Sequence, residues 1–442
     1  MNNMLMYDQA QAGGIVYDQT ESYEYQRYYT TDGLTDTSEY KTIRFSVLQT
    51  NLFFHFRNAF LELRGSVVRK DTKKPFVKTD KLTFINNPVP HFFSNAKFSI
   101  GSRVVESINE FGHVSSLIHY TLLSRSKMKC GGLEFFWLPD TDDTATDANL
   151  GFKTRQEYLM QKPKTPGNFV LRIPLQMLFG VAENYVCLRG YPINIEFVRG
   201  GDHCALLRAD DVAQEGLILF QKLTLNIPIV EPSNVITVET LRGLSDPKTY
   251  LYSFRRRSGL SAPVPKDVFE HQMVLCTTTM IERPQYIWVG FQKDLKKDQK
   301  QNYGIYWHGD VQQMSVEVNN IQFPVNPVEA NFEENDTGFF YTMQRQIREN
   351  YLQLPTTYTE GSVISPMNYG SLFPIFAFDV SKHNFSVGAR SVTTKLNMRF
   401  RTQVPANVVV RVAWFSDRSL ELSTDGSTLD IKQNVDSYVA HD

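Results

Sequence analysis

From Ile43 onward, apolar and polar positions alternate in short runs broken by turn residues, the period-two signature of strands with one buried face. Ile43-Arg44-Phe45-Ser46-Val47-Leu48 is one such run. In Ala59-Phe60-Leu61-Glu62-Leu63-Arg64-Gly65-Ser66-Val67-Val68, Leu61 and Leu63 oppose Phe60, Glu62 and Arg64, so one face is expected to be buried and the other wet. Strand text returns at residues 169–173, 193–197 and 216–229. In the second half it returns at 250–254, 272–278, 286–291, 314–323, 373–380, 394–401 and 408–415. Helical spacing is rarer. Ile108, Val114, Leu117 and Ile118 predict a helix within 107–128, and residues 340–347 predict another. The intervening 139–168 and 331–370 read as long inserted loops, the length at which a loop serves as an interaction surface.

The pattern is written twice. Lys97-Phe98-Ser99-Ile100, the turn Gly101-Ser102 and Arg103-Val104-Val105 are echoed by Ser315-Val316-Glu317-Val318, Asn319-Asn320 and Ile321-Gln322-Phe323. Ile193-Asn194-Ile195-Glu196-Phe197 is echoed by Leu396-Asn397-Met398-Arg399-Phe400. The echoes lie close to half a chain apart. About seven or eight short strands per half predict an all-β chain of two tandem eight-stranded sandwiches with inserted loops and short helices. Jelly rolls have this strand count, although periodicity alone does not separate them from immunoglobulin-like sandwiches. Pro228, Pro232 and Asp246-Pro247 place the boundary, with a connector over 233–247. The expected division is an N-terminal arm 1–40, a first sandwich 41–232 and a second sandwich 233–442.

Composition changes this picture in two places. The 442 residues hold 31 Phe and 21 Tyr but only 21% charged residues, which suits aromatic cores and contact surfaces and excludes a disordered chain. The net charge of −1 is unevenly spread: residues 1–40 carry seven acids against the single base Arg27, together with seven tyrosines. A basic arm that would neutralise packaged nucleic acid is therefore absent from that end, and no sequence-specific nucleic-acid binding is expected. Cys130, Cys187, Cys204 and Cys276 show no CxxC spacing and read as reduced thiols. No leader-like N-terminus and no run of membrane-spanning length is visible, so membrane insertion is not expected.

The search for chemistry returns little. P-loop, dinucleotide, nucleophile-elbow and zincin spacings are missing. Adjacent His203 and Cys204 would face opposite sides of a strand, which argues against a metal site. Asp142-Asp143 and Glu333-Glu334-Asp336 lie in polar turn text, where carboxylates stay solvated rather than raised for acid catalysis. Arg255-Arg256-Arg257 reads either as a solvated strand end or as a contact for an acidic partner, and Lys296-Lys297 with Lys300 as a loop tip. No catalytic, cofactor-binding or metal-ligating residue is expected, and no enzymatic activity.

One longer stretch carries a resemblance. Asn86-Asn87-Pro88-Val89-Pro90-His91-Phe92-Phe93-Ser94 is similar to a motif of double jelly-roll major capsid proteins, above all those of Maverick/Polinton elements and adintovirus-like DNA viruses. Trp137-Leu138-Pro139-Asp140, Asn149-Leu150-Gly151-Phe152-Lys153-Thr154-Arg155, and the strand text at 169–179 and 191–199 follow in that family's order. So do Tyr252-Ser253-Phe254-Arg255, residues 282–292 and 373–381, which extends the resemblance over about residues 43–421. Pro90, Asn95 and Tyr191-Pro192 depart from its pattern. The resemblance implies a structural protein of an icosahedral virion, assembled inside the host cell. It implies homotrimeric, pseudo-hexagonal capsomers that contact one another, penton proteins and minor capsid proteins, with loops 139–168 and 331–370 forming the tower and trimer contacts. The acidic segment would lie at the inner base. The rival expectation is a glycan-binding or glycan-cleaving β-sandwich of the viral spike or lectin kind.

Overall fold

A computed structural model describes residues 20–33, 38–161, 164–184, 188–232, 249–279, 282–293, 297–354, 361–382, 391–423 and 429–432. The expected connector 233–247 lies outside the described residues. Among the described residues, sixteen of the twenty strands fall into two sets of eight. The first set is β1 (Thr20–Tyr29), β2 (Thr42–Val47), β3 (Phe60–Arg69), β4 (Phe93–Ile100), β5 (Arg103–Asn109), β6 (Asn168–Pro174), β7 (Ile193–Arg199) and β8 (Gly216–Pro232). The second is β9 (Thr249–Val264), β10 (Glu270–Thr279), β11 (Pro284–Gln292), β12 (Val311–Val318), β13 (Ile321–Glu329), β14 (Phe376–Asp379), β15 (Ser391–Phe400) and β16 (Val408–Ser423).

The sheet order of the first set is β1-β8-β3-β6 and β2-β7-β4-β5; that of the second is β9-β16-β11-β14 and β10-β15-β12-β13. Adding eight to each strand of the first set gives the second set, and every pairing is antiparallel. Each set is therefore a complete jelly roll. The sequence echoes fall on equivalent strands: the 97–105 and 315–323 runs are the hairpins β4–β5 and β12–β13, and the other pair is β7 and β15. Both hairpins turn through left-handed residues, Gly101 in one, Asn319 and Asn320 in the other, as tight hairpin turns require.

Alternation decides burial in most strands. β7 buries Ile193, Ile195, Phe197 and Arg199 while Asn194, Glu196 and Val198 lie half out. Phenylalanines fill the first roll, with Phe93 and Phe197 centroids 4.8 Å apart and Phe92 edge-on to Phe220 at 5.5 Å. Strand β11 breaks the rule, being buried at all of its positions. Its sequence Tyr286-Ile287-Trp288-Val289-Gly290-Phe291 lacks polar alternation because both of its faces are covered.

Three longer helices sit in the loops: α1 (Phe111–Leu122), α2 (Leu150–Met160) and α3 (Gly338–Leu352). Helices α1 and α2 occupy the β5–β6 connection, and α3 the equivalent β13–β14 connection. The sequence reading differs from the structure at three places. The helix expected within 107–128 begins only after β5 ends at Asn109. Loop 139–168 holds α2, capped by the Asn149 side chain, which accepts from Phe152 N at 3.1 Å. And the first roll begins inside the acidic segment expected to be an arm, not at residue 41. Thr20–Tyr29 pairs along β8 from Pro232 to Thr224 and buries Tyr28, because Ser22, Glu24, Gln26 and Tyr28 alternate with Tyr23, Tyr25, Arg27 and Tyr29.

Candidate functional site

The groups with unusual chemistry converge on the junction between the two rolls. Helix α1, which follows β5, is buried at all of its positions and lies on the outer face of sheet β9-β16-β11-β14. Small residues make room for it. A Cβ on Gly259 would meet Val114, and one on Gly290 would stand 3.1 Å from Leu117. On the other side of the same face, residues 180–183 press so closely that a Cβ on Gly180 would run into the carbonyl oxygen of Arg255.

Glu106 of β5 is the polar centre of this contact. Its side chain is fully buried and accepts three backbone N–H groups: Gly180 at 3.1 Å, Val181 at 3.1 Å and Arg257 at 2.8 Å. Burial pushes its carboxyl up, while the Arg257 guanidinium and those donors pull it down. Arg257 of β9, also buried, donates to the carbonyls of Met177 and Gln176, both at 2.7 Å, and pairs with Glu183. Tyr252 Oη donates to Val181 O at 2.8 Å, and Arg418 donates to Val105 O at 2.6 Å. Glu110 pairs with Arg411 at 2.8 Å.

The arginine run is thus not a solvated strand end. It lies in the middle of β9, where Arg256 and Arg418 meet Glu282, Arg255 faces Asp417 at 3.8 Å and the Tyr351 ring at 4.5 Å, and Arg257 enters the junction.

The Trp137–Asp140 and Asn149–Arg155 motifs form a second anchor. Asp140 is buried and accepts from Asn149 at 2.8 Å, Arg155 at 2.6 Å and Asn302 at 3.0 Å. Arg155 also donates to Phe84 O at 2.9 Å. This cluster ties α2 to the first roll and, through Asn302, to the second. Nearby, Tyr120 Oη accepts from Asn86 at 2.8 Å and donates to Gly304 O at 2.9 Å. The buried histidines His91, His113 and His119 line α1 and the short helix Pro88–His91. His91 lies 3.0 Å from Ser116 Oγ and His119 3.1 Å from Ser115 Oγ. Burial, reinforced by Arg411, holds His91 down to about 3 and His113 well below the usual range; burial and Arg257 do the same to His119.

The other sequence candidates stay apart. His203 and Cys204 sit in a 3-10 turn rather than a strand, so their side chains touch at 3.4 Å instead of facing opposite ways. Burial pushes the Cys204 thiol up to about 12. Asp142 is held down by the Thr144 hydroxyl and amide, and Glu333, Glu334 and Asp336 are exposed before α3. Lys300 pairs with Asp210 at 3.2 Å, and Lys296 lies outside the described residues. Among the described residues, no group of three or more His, Cys, Asp or Glu side chains could hold a metal, and no helix is long and apolar enough to cross a membrane.

Two sandwiches of identical topology, joined by a buried polar seam, define a double jelly roll. The chain belongs to the family described as double jelly roll-like domain, which matches residues 148–420. No curated protein sequence matches it. Among solved structures, it is similar to the Sputnik virophage by cryo-EM, with a TM-score of 0.62 and 11% identity, covering 100% of this chain and 96% of that one. It is similar to the PBCV-1 virus capsid, with a TM-score of 0.57 and 9% identity over 96% and 99% of the two chains. The mavirus major capsid protein follows, with a TM-score of 0.51 and 12% identity over 98% and 96%. At these identities the likeness is one of fold.

Proposed function

We propose that this chain is a structural major capsid protein of the kind that Maverick/Polinton elements and adintovirus-like viruses carry. The observation that carries the reading is the pair of topologically identical rolls held in one fixed relation. The seam of Glu106, Arg257 and α1 is a building-block feature: it uses buried charge to set orientation. The Sputnik and mavirus likenesses, which span nearly the whole of each chain, support the same reading.

Two near-equivalent rolls per chain let three chains supply six corners, and such a pseudo-hexagonal trimer tiles an icosahedral shell. The first roll comprises residues 20–232 and the second begins at 249. The protein acts in the virion, is assembled in the host cell, and touches neighbouring capsomers, penton proteins and minor capsid proteins. Loops 139–168 and 331–370 stand at equivalent places in the two rolls and supply tower and trimer contacts. Light scattering of the purified chain tests the reading: a trimer of roughly 150 kDa, three times 50.8 kDa, is expected. A stable monomer that binds glycans would overturn it.

A further inference from the structure

The three buried histidines of the junction share a set of hydrogen bonds that holds only while their rings are neutral. Asn87 Nδ2 donates to Ser115 Oγ at 3.2 Å and to Ser116 Oγ at 3.4 Å. Each hydroxyl then gives its own proton to an imidazole nitrogen, Ser115 to His119 Nδ1 at 3.1 Å and Ser116 to His91 Nε2 at 3.0 Å. A proton added to either nitrogen sets donor against donor. His113 Nδ1 is buried without a hydrogen-bond partner, so a ring protonated on both nitrogens strands an N–H there. The rings of His91 and His113 stand edge to face with centroids 5.1 Å apart, and two charges at that distance repel. Close packing holds them in place, since a Cβ on Gly112 would stand 2.4 Å from His91 Nδ1.

The charged groups around the cluster do not rescue a protonated ring. The cations are Arg411 of β16 facing His91 and His113, Arg257 of β9 and Lys127 facing His119, and the buried Arg348 of α3, which packs on α1. The bordering carboxylates are engaged elsewhere. Glu110 holds Arg411, and Glu106 accepts its three backbone N–H groups. Glu183 takes Arg257 and the Tyr351 hydroxyl, Asp140 takes Arg155, and Asp202 takes Arg199 beyond β7. Burial keeps the phenols of Tyr120, Tyr303 and Tyr306 protonated.

We infer that α1 and its three histidines form a proton-operated latch between the rolls: in mild acid the helix leaves the sheet β9-β16-β11-β14 while both rolls stay folded. The latch belongs to the single chain and does not depend on the capsomer reading. Hydrated histidines titrate near 6.5, so release takes up protons. Each ring raises the open population up to about tenfold per pH unit below that value. Glu106, whose burial disfavours its charged form, works against this and offsets about one of the three. Once undocked, a helix of 12 residues is marginal in water, so its own amides report the release.

Hydrogen–deuterium exchange of the full chain at pH 7 and pH 5, corrected for the intrinsic pH dependence of exchange, tests the latch. Protection over α1 and residues 180–183 is expected to fall about 100-fold on acidification, while β3, β8 and β15 keep theirs. His91→Gln with His113→Gln removes two of the proton acceptors, and the fall over α1 is expected to shrink below about threefold. His271→Gln, on β10 in the far sheet of the second roll, is expected to respond as the wild type does. Should the double variant fail to fold, His119→Gln takes its place, with the fall reduced to about tenfold. The latch is overturned by equal protection of α1 at both pH values, or by a loss shared equally with β3, β8 and β15. It is overturned as well by histidine variants that respond like the wild type. None of these outcomes bears on the trimer that light scattering is expected to find.

Discussion

Glu106 shows how a single side chain can set the relation of the two rolls. A carboxylate buried between two sandwiches is costly unless both of its oxygens are hydrogen-bonded, and here three backbone N–H groups from two segments of the chain bond them. Glu106→Gln turns one acceptor into a donor that faces those N–H groups. The expected loss is about 3 kcal/mol of stability, measured by denaturant unfolding, with little change in the far-ultraviolet spectrum. Arg155→Met strands Asp140 in the same manner and is expected to cost about 3–5 kcal/mol, read as a lowered unfolding midpoint. Neither role was legible in the sequence. The Asp140 and Arg155 words were visible as a resemblance, but their purpose was not, because Asn302 and the carbonyl of Phe84 lie far away along the chain. Arg255-Arg256-Arg257 read as surface charge for the same reason: Glu106, Glu183 and Glu282 come to it only through the fold.

Strands were more legible than helices. A strand with one wet face announces itself within a few residues, and the β4–β5 and β12–β13 hairpins, with their left-handed turn residues, made the repeat readable. Helix α2 was hidden because its buried residues, Phe152, Arg155, Leu159 and Met160, include a charge and sit in polar text. Helix α1 is unusual in the other direction, since it is polar in part yet wholly buried, and it carries His113 against His91 and His119 against Trp137. Their charged neighbours are chiefly cations, Arg411 and Arg257, so protonation finds no compensating acid. The folded forms stay neutral while the unfolded histidines titrate near 6.5. Their contribution is therefore intact above about pH 6.5 and erodes below it, by up to about 1.4 kcal/mol per pH unit for each histidine. Burial of Glu106 works with the opposite sign above the ordinary carboxylate range, so between pH 5 and pH 7 this one group offsets part of the loss from three histidines without reversing it. Melting temperature is thus expected to fall steadily from pH 7 to pH 5, and His113→Gln with His119→Gln is expected to flatten that slope. Gly180→Ala acts on the same junction by sterics. The methyl has a backbone carbonyl in its way rather than a movable side chain, and about 1–3 kcal/mol is the expected cost in a thermal melt.

At the scale of the molecule, the acidic N-terminal segment separates two accounts of how the chain is built. A docking arm is expendable for folding and needed only for assembly, whereas an edge strand belongs to the sandwich. Thr20–Tyr29 is a strand: it completes the hydrogen bonding of β8 from Pro232 to Thr224, buries Tyr28, and sets the Tyr23 hydroxyl 3.1 Å from His55 and 3.0 Å from the Asn58 amide that donates to it. Removing it would bare a long apolar strand edge, the kind of surface that recruits other chains into aggregates. It would also lose the burial of a tyrosine worth about 2 kcal/mol. Deletion of residues 1–40 is therefore expected to abolish soluble folded protein. Soluble yield and a thermal melt of the truncated chain beside the full one decide the matter. If the truncated chain folds as well as the full one, β1 is dispensable to the sandwich. If it does not, the first roll requires the acidic segment as a strand of its own sheet, and the segment cannot be an arm that is expendable for folding.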